Sequence, residues 1–243
     1  MKRTKAGKDE VAAFTFAELL VATAALSVIA ALALPSLSDA NAKARAAYCM
    51  SNLKQWGVGY ELYAADWNGY LPAEGTAQSL SCRRCWYNAV PPYLKILAYK
   101  DLPGVGGTIR QFGQLRIWVC PEKNLRNVRG VSGKNSVSYG MNDYLDGNNL
   151  DDVSHHTLQH ANLSSIAEPG VTVLLCDIKT SQFYCDPMDT TFQSYPWQDK
   201  GQGLHQNGAN FLFVDGHVSW FPVNAYWDGS NGITNNPALR WYP

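Results

Sequence analysis

The sequence predicts an α+β protein, in which a long N-terminal transmembrane and stalk helix packs on a small antiparallel β-sheet domain with long loops. Three observations predict this fold class: an apolar run over residues 14–34, an amphipathic helical pattern over residues 35–66, and short strand-like segments over residues 67–243. The chain has 243 residues, of which 46% are hydrophobic and 16% are charged. This composition excludes a disordered chain, and the net charge of zero argues against a nucleic-acid partner.

The first predicted element is a membrane-spanning helix over residues 14–34, which ends at Pro35. A helix of this length spans roughly 30 Å, the thickness of a bilayer core. Residues 1–13 carry four basic groups against two acidic ones, which predicts a cytoplasmic leader and places everything after Pro35 outside. A secretory signal that is removed by a cut near residues 31–33 or 39–42 is the alternative.

Glu18 is the one ionisable residue in this run. A carboxylate inside an apolar span costs roughly 2.5 to 3.5 kcal/mol on insertion scales, so it needs a compensating partner. The alternative is a carboxylate that only sits at the membrane interface, four residues into the span.

The second predicted element is a stalk helix over residues 35–66. Apolar residues recur at spacings of three and four, with basic and acidic residues between them: Leu37, Ala40, Ala44, Ala47, Leu53, Trp56, Tyr60 and Ala64. The stalk and the membrane span form either one kinked helix or two separate helices, because a proline permits both.

The remaining residues, 67–243, predict a β-rich domain. Residues 67–72 combine Asn, Gly and Pro and end the helix, residues 116–121 are a candidate strand, and residues 170–177 are the clearest buried strand by their β-branched content. A hairpin is predicted at about 210–221, because Asp215 and Gly216 separate two apolar runs. A two-residue turn there would place Phe211, Phe213, Val218 and Trp220 on one apolar face, which we expect to contact the long helix.

Residues 13–20, Ala-Phe-Thr-Phe-Ala-Glu-Leu-Leu, resemble the processing site of type IV prepilins and type II secretion pseudopilins. The resemblance implies cleavage between Ala13 and Phe14 by a prepilin peptidase, and an inner-membrane protein whose C-terminal domain is periplasmic or extracellular. It also implies that the freed amine of Phe14 pairs with Glu18 of a neighbouring subunit. The family usually has Gly where this chain has Ala13.

A second resemblance lies near the C-terminus, where His205 is followed by nine residues and then by Asp215 and Gly216. This spacing is similar to the H-X9-DG element of prepilin-type, processing-associated proteins. The residues themselves allow a hydrogen-bonded pair of His205 and Asp215 or a metal site that also uses Asp177. Of these two interpretations we favour the one without a metal. The separate loop at 146–152 has oxygen ligands that calcium accepts.

Six cysteines follow the membrane run: Cys49, Cys82, Cys85, Cys120, Cys176 and Cys185. An extracytoplasmic location favours disulfides, and six cysteines allow fifteen connectivities. Free buried thiols remain an alternative, and the Cys82-x-x-Cys85 spacing also suits half of a zinc site or a redox pair. A Cys49–Cys120 bridge would join the stalk helix to the domain, and both cysteines lie in segments that resemble the family.

The resemblance implies a structural subunit that polymerises with other pilin or pseudopilin subunits into a secretion pseudopilus or a type IV pilus-like fibre. A membrane-anchored module that binds glycans or peptides through its many Trp and Tyr residues, without polymerising, is the alternative. An anchored hydrolase lacks support, because the sequence has no nucleophile elbow and no His-Glu-x-x-His motif. We therefore expect no enzyme and no cofactor, apart from calcium at the loop.

Overall fold

A computed structural model describes residues 15–75, 81–102, 117–122, 137–145, 161–178, 184–185, 205–226 and 236–241. The chain divides into two compact units, Met1–Asn41 and Ala42–Pro243. The predicted processing site at Ala13 and Phe14 and the loop at 146–152 lie outside the described residues.

The long N-terminal helix, α1, extends over Phe16–Asp66, so the span and the stalk are continuous in secondary structure. It follows Thr15 and ends at a turn in which Asn68 and Gly69 both have positive φ, at 53° and 84°. Gly69 N–H donates to the carbonyl of Ala64, which satisfies one of the last helical carbonyls.

The buried face of α1 begins at Cys49. Cys49, Leu53, Trp56 and Tyr60 are all buried and recur every three or four residues, so one stripe of the helix faces the domain. The Trp56 indole N–H donates to the Ile117 carbonyl at 2.9 Å, because a buried indole requires an acceptor. Earlier stalk positions that the sequence assigned to the apolar face, such as Leu37 and Ala47, are exposed in this single chain.

The sheet has five strands: β1 (Tyr139–Asn142), β2 (Val173–Asp177), β3 (Tyr184–Cys185), β4 (Gly208–Phe213) and β5 (Val218–Pro222). Their order is β3-β1-β2-β4-β5. Four strands pair in antiparallel fashion, and the two-residue β3 pairs in parallel with β1 at one edge. A short helix, α2 (Trp86–Ala89), and single 3-10 turns complete the described part of the domain. The predicted strand at 116–121 is wrong where it is described, because Ile117–Val119 form a turn.

The predicted hairpin is present, but its register differs by one residue from the expected one. Leu212 pairs with Val218 and Phe211 with Ser219, because the loop has three residues rather than two. Phe213 N–H donates to the His217 carbonyl, Gly216 N–H donates to the Phe213 carbonyl, and Gly216 has a φ of 83°. These are the features of a three-residue hairpin loop with glycine at its left-handed position.

This one-residue difference places Phe211 and Phe213 on the face opposite to Val218 and Trp220, because Val218 pairs with Leu212 and Trp220 with Asn210. Leu212 belongs to the core beneath α1, whereas Phe211 and Phe213 belong to a second core on the other side of the sheet. Trp220 is 40% exposed. The prediction that Phe211, Phe213, Val218 and Trp220 share one face is therefore wrong. Val218 packs, partly buried, against the helix-side core as expected, but Leu212 accompanies it there instead of Phe211 and Phe213.

Two hydrophobic cores position the candidate sites. The helix-side core includes Trp56 and Leu53 of α1 with Trp86, Trp118 and Leu212. Its three tryptophans meet edge to face or tilted, with ring centroids 4.7 to 6.0 Å apart. The outer core packs Phe211 and Phe213 against a C-terminal group of Tyr226, Leu239 and Trp241. The sheet is thus covered on both faces, which keeps its central polar residues away from water.

Candidate functional sites

The first candidate site is the start of α1. Among the described residues, α1 is the one helix long and apolar enough to cross a membrane, and a signal sequence near an N-terminus would meet the same criterion. Its apolar side chains between Phe16 and Leu34 are exposed in the single chain, with Phe16 at 77% and Leu32 at 76%. Exposed apolar surfaces of this size typically mark segments that contact a membrane or another protein.

Glu18 lies at the third helical position and is paired within its own helix. Its Oε2 accepts hydrogen bonds from the backbone N–H and the hydroxyl of Thr15, both at 2.8 Å. Glu18 N–H in turn donates to the Thr15 hydroxyl at 3.3 Å. This is a capping box, in which two residues satisfy each other's free backbone donors. The Thr-x-x-Glu spacing is visible in the sequence, but the cap was not among the sequence-based expectations.

The second candidate site is a buried polar centre between α1 and the sheet. His205 Nε2 lies 3.2 Å from Cys120 Sγ and 3.3 Å from Asp177 Oδ2, and all three side chains are buried. Asp177 Oδ2 also accepts from the backbone and side-chain N–H groups of Asn210, at 2.9 and 2.7 Å. The end of β2 and the start of β4 thus place a carboxylate and an amide together beside an imidazole.

A tight turn holds His205 in this position. Gln206 and Asn207 both have positive φ, at 47° and 62°, and His205 and Gly208 exchange two backbone hydrogen bonds. Trp220 of β5 covers the turn and donates its indole N–H to the His205 carbonyl at 3.0 Å. Gly208 must lack a side chain, because a Cβ there would lie 2.3 Å from the Phe221 carbonyl oxygen.

His205 and Asp215 have different partners. His205 faces Asp177, whereas Asp215 Oδ1 lies 2.6 Å from Nδ1 of His217 and accepts from its backbone N–H at 3.0 Å. The prediction that His205 and Asp215 form a hydrogen-bonded pair is therefore wrong. The alternative prediction, a metal site that joins the two residues, is wrong as well. Asp177, which was named only as a further ligand of the alternative metal site, does lie beside His205, whereas Cys120 was not expected there.

Two further groups have shifted pKa values. Burial raises the pKa of Tyr139, and the charge of Asp177 raises it further, while Asn52 donates to the phenol oxygen at 3.0 Å. Burial alone would raise the pKa of Asp215, but hydrogen bonds from the His217 backbone and side chain outweigh it, so the pKa lies below its usual value. Tyr139 therefore stays neutral and Asp215 ionised near neutral pH.

The six cysteines fall into three pairs. Cys49 bonds to Cys120, which joins α1 to the domain, and Cys82 bonds to Cys85. Among the described residues, no group of three potential metal ligands includes Cys82 or Cys85, so the zinc alternative is without support. The bridge is the form that a structural disulfide and an oxidised redox pair share. Cys176 and Cys185 are buried free thiols in the outer core, where burial and their mutual proximity raise the pKa of Cys176.

The described tryptophans bear on the binding-module alternative, which depends on exposed aromatic rings. Of the six tryptophans that the structure describes, four are buried and two are partly exposed: Trp56, Trp86, Trp118 and Trp241 are buried, and Trp67 and Trp220 are 49% and 40% exposed. Most of these tryptophans therefore build the core.

Comparisons with models of known protein families, with curated proteins and with solved structures found no match for this chain. The pilin-like interpretation accordingly depends on the residues and geometry described above.

Proposed function

We propose that the protein is a pilin-like or pseudopilin structural subunit, inserted in the inner membrane through α1 and assembled with other subunits into a fibre. The observation that carries the proposal is the apolar surface of α1 between Phe16 and Leu34, which is exposed in the single chain. In the bilayer, lipid covers this surface. In a fibre, equivalent helices of neighbouring subunits cover it, so the same residues serve both states.

Glu18 gives the assembly its specificity in this proposal. Its carboxylate accepts a hydrogen bond from the N–H of Thr15, the residue that follows Phe14 in the chain, at the end of the helix where cleavage would free a new amine. An ammonium group from a neighbouring subunit would compensate the carboxylate, which is costly in an apolar setting. Subunits without this pairing would be inserted but disfavoured in the fibre.

The decisive experiment determines the mature N-terminus by mass spectrometry after expression with and without a prepilin peptidase. We expect a chain that begins at N-methylated Phe14 only when the peptidase is present. A chain that begins near Ala33 or Ala42 contradicts the proposal, because the apolar segment would then have been removed as a secretory signal.

Assembly itself is tested by cross-linking. Cysteine placed at Leu26, an exposed apolar position of α1, should give oligomers in membranes of cells that carry the peptidase. Cysteine at the exposed position Val58 of the same helix is the matched control for random collision. Equal, low cross-linking at both positions would contradict polymerisation and would leave the anchored binding module.

A further inference from the structure

An exposed tryptophan presents one face of its ring to solvent at the C-terminal end of α1. Trp67 directly follows the helix and is 49% exposed, although tryptophan is highly buried on average. Its ring stacks on that of Tyr63, with centroids 5.3 Å apart and planes 11° from parallel. Because Tyr63 is only 5% exposed, Trp67 covers it with its inner face, and the outer face remains open.

The orientation of the Trp67 ring is fixed by its neighbours. Tyr93 packs edge to face against Tyr63, with centroids 5.8 Å apart and planes at 80°. The hydroxyl of Tyr93 accepts a hydrogen bond from the Trp67 side chain and donates one to Asp66. Asp66 is exposed, so its carboxylate keeps acceptor sites for further donors beside the ring.

The turn after the helix is fixed as well. Tyr70 N–H donates to the Trp67 carbonyl at 3.1 Å, and the Asn162 side chain donates to the Asn68 carbonyl at 3.0 Å. Because the ring and its supports are already ordered, a ligand that stacks on Trp67 loses little binding energy to ordering the protein.

The exposed aromatic surface here has the size of a small ligand. Burial of an aromatic side chain removes about 150 to 250 Å² from water. Trp67 and Tyr70, at 49% and 47% exposure, therefore offer on the order of 200 Å² together. A specific protein interface covers about 800 Å² on each partner, so these two rings are too small for one.

Both signs of charge lie near the stacked rings. Asp66 supplies the negative charge. Arg84 supplies the positive one: burial raises the pKa of Tyr63 to about 12, and the charge of Arg84 opposes this rise. A carboxylate and a guanidinium in one place disfavour a ligand with a strong charge of either sign. They suit a neutral ligand that carries hydroxyl groups, because a hydroxyl both donates and accepts hydrogen bonds.

We propose that Trp67 is the stacking residue of a carbohydrate-binding site that takes linear, neutral, β-linked glucose chains. The ring substituents of β-linked glucose are all equatorial, so each face of the sugar presents only C–H groups. The positive ends of these groups meet the negative face of the indole, while hydroxyls at the sugar edge bind Asp66 and Arg84. This site goes beyond the proposed function, because it lies within one chain and does not depend on assembly.

The test uses the full-length wild-type protein in micelles of a polyoxyethylene detergent, which has no sugar head group. Exposed tryptophans are oxidised with N-bromosuccinimide, and peptide mass spectrometry follows Trp67 and Trp220 separately. By mass action, cellohexaose at ten times its Kd should slow oxidation of Trp67 about tenfold. Trp220, which is 40% exposed, is the internal control and should react at an unchanged rate.

Sorbitol at the same concentration carries similar hydroxyl groups without a ring and should protect neither tryptophan. Oxidation of Trp67 that is unchanged by cellohexaose up to about 10 mM, beyond the weak end of specific binding, would overturn the proposal. Protection of Trp220 alone would do the same. Oxidation of Trp67 that slows with rising protein concentration, in the absence of sugar, would show that a second copy covers the ring and would likewise overturn it.

Substitutions locate the site by calorimetric titration with cellohexaose. Trp67→Ala should weaken binding by at least about tenfold, the loss typical of a central contact residue. Trp67→Phe keeps a ring and should stay within about threefold of the wild type. Trp220→Phe changes the other partly exposed tryptophan and should bind as the wild type does. If a variant fails to fold, the oxidation measurement on the wild-type protein still decides the matter.

Discussion

The indole N–H of Trp220 donates a hydrogen bond to the carbonyl oxygen of His205, 3.0 Å away. The last strand of the sheet thereby holds the turn that presents His205 to Asp177 and Cys120. Trp220 is 40% exposed, so its contribution comes from this bond and from covering Gly208, more than from complete burial.

Trp220→Phe removes the donor and keeps a ring over the turn. We expect it to lower the free energy of unfolding by about 0.5 to 1.5 kcal/mol, the usual net value of one hydrogen bond. Chemical denaturation of the detergent-solubilised protein measures this. A loss of about 3 kcal/mol or more, typical of a fully buried aromatic side chain, would show that the exposed side of the ring is covered in solution.

Three substitutions separate the two roles of the Thr15 and Glu18 pair. Glu18→Gln keeps an acceptor for Thr15 but removes the charge, whereas Glu18→Ala removes both and Thr15→Ala removes the cap alone. If the charge drives assembly, we expect Gln and Ala at position 18 to reduce cross-linked oligomers equally, with normal membrane insertion. Thr15→Ala should assemble. Wild-type assembly of Glu18→Gln would assign the carboxylate to helix capping only.

Gly59 is required where α1 approaches Val90. A Cβ on Gly59 would lie 2.7 Å from Val90 Cγ1 and 3.0 Å from Leu94 Cγ, and Val90 is completely buried. We expect Gly59→Ala to lower the free energy of unfolding, because an overpacking cost of about 1 to 3 kcal/mol exceeds the gain of about 1 kcal/mol in helix propensity.

The neighbouring residue Val58 provides the control for this substitution, because its side chain is 51% exposed. Val58→Ala should change stability by no more than about 0.5 kcal/mol. If Gly59→Ala proves more stable than the wild type in the same denaturation series, α1 lies farther from Val90 than the structure indicates.

Asp215 makes part of the stability depend on pH. Hydrogen bonds from His217 hold the pKa of Asp215 below its unfolded value of about 3.9, despite partial burial, which alone would raise it. The stabilisation is therefore present above about pH 3.9 and is lost as the pH falls through the lower, folded pKa. Asp215→Asn keeps an oxygen for the His217 N–H but removes this titration.

We accordingly expect the difference in unfolding free energy between the wild type and Asp215→Asn to be larger at about pH 5 than at about pH 2. Denaturant titrations of both proteins at the two pH values measure it. A difference that stays constant, or grows in acid, would mean that the carboxylate of Asp215 gains nothing from its contact with His217.

The sequence was sufficient for the elements with strong periodicity. The two helical stretches, the buried strand within residues 170–177 and the hairpin around Asp215 follow from apolar spacing and turn residues, which act locally. The sequence left open whether the two stretches join through Pro35 into the one helix that the structure has. The register of the hairpin could not be predicted from the sequence, because Asp-Gly suits both a two-residue and a three-residue loop. Only the packing of Leu212 beneath α1 distinguishes the two loops.

The buried centre was only partly predictable for a related reason. Its members come from distant parts of the chain, and Cys120 and His205 are separated by 85 positions. Asp177 could be named because it ends a clear strand, and His205 because its spacing to Asp215 was conspicuous. Cys120 directly follows the turn at Ile117–Val119, in a segment that was predicted as a strand, so no local pattern indicated that it would contact His205.

The Cys49–Cys120 disulfide also determines whether proteolysis can release the C-terminal domain. A cut of the backbone anywhere between these two residues yields two fragments that remain covalently joined, so the C-terminal domain stays attached to the membrane helix. Gel electrophoresis would show one band without reductant and two bands with it. Release of the domain by cleavage in this interval therefore requires two chemical events, hydrolysis and reduction, instead of one.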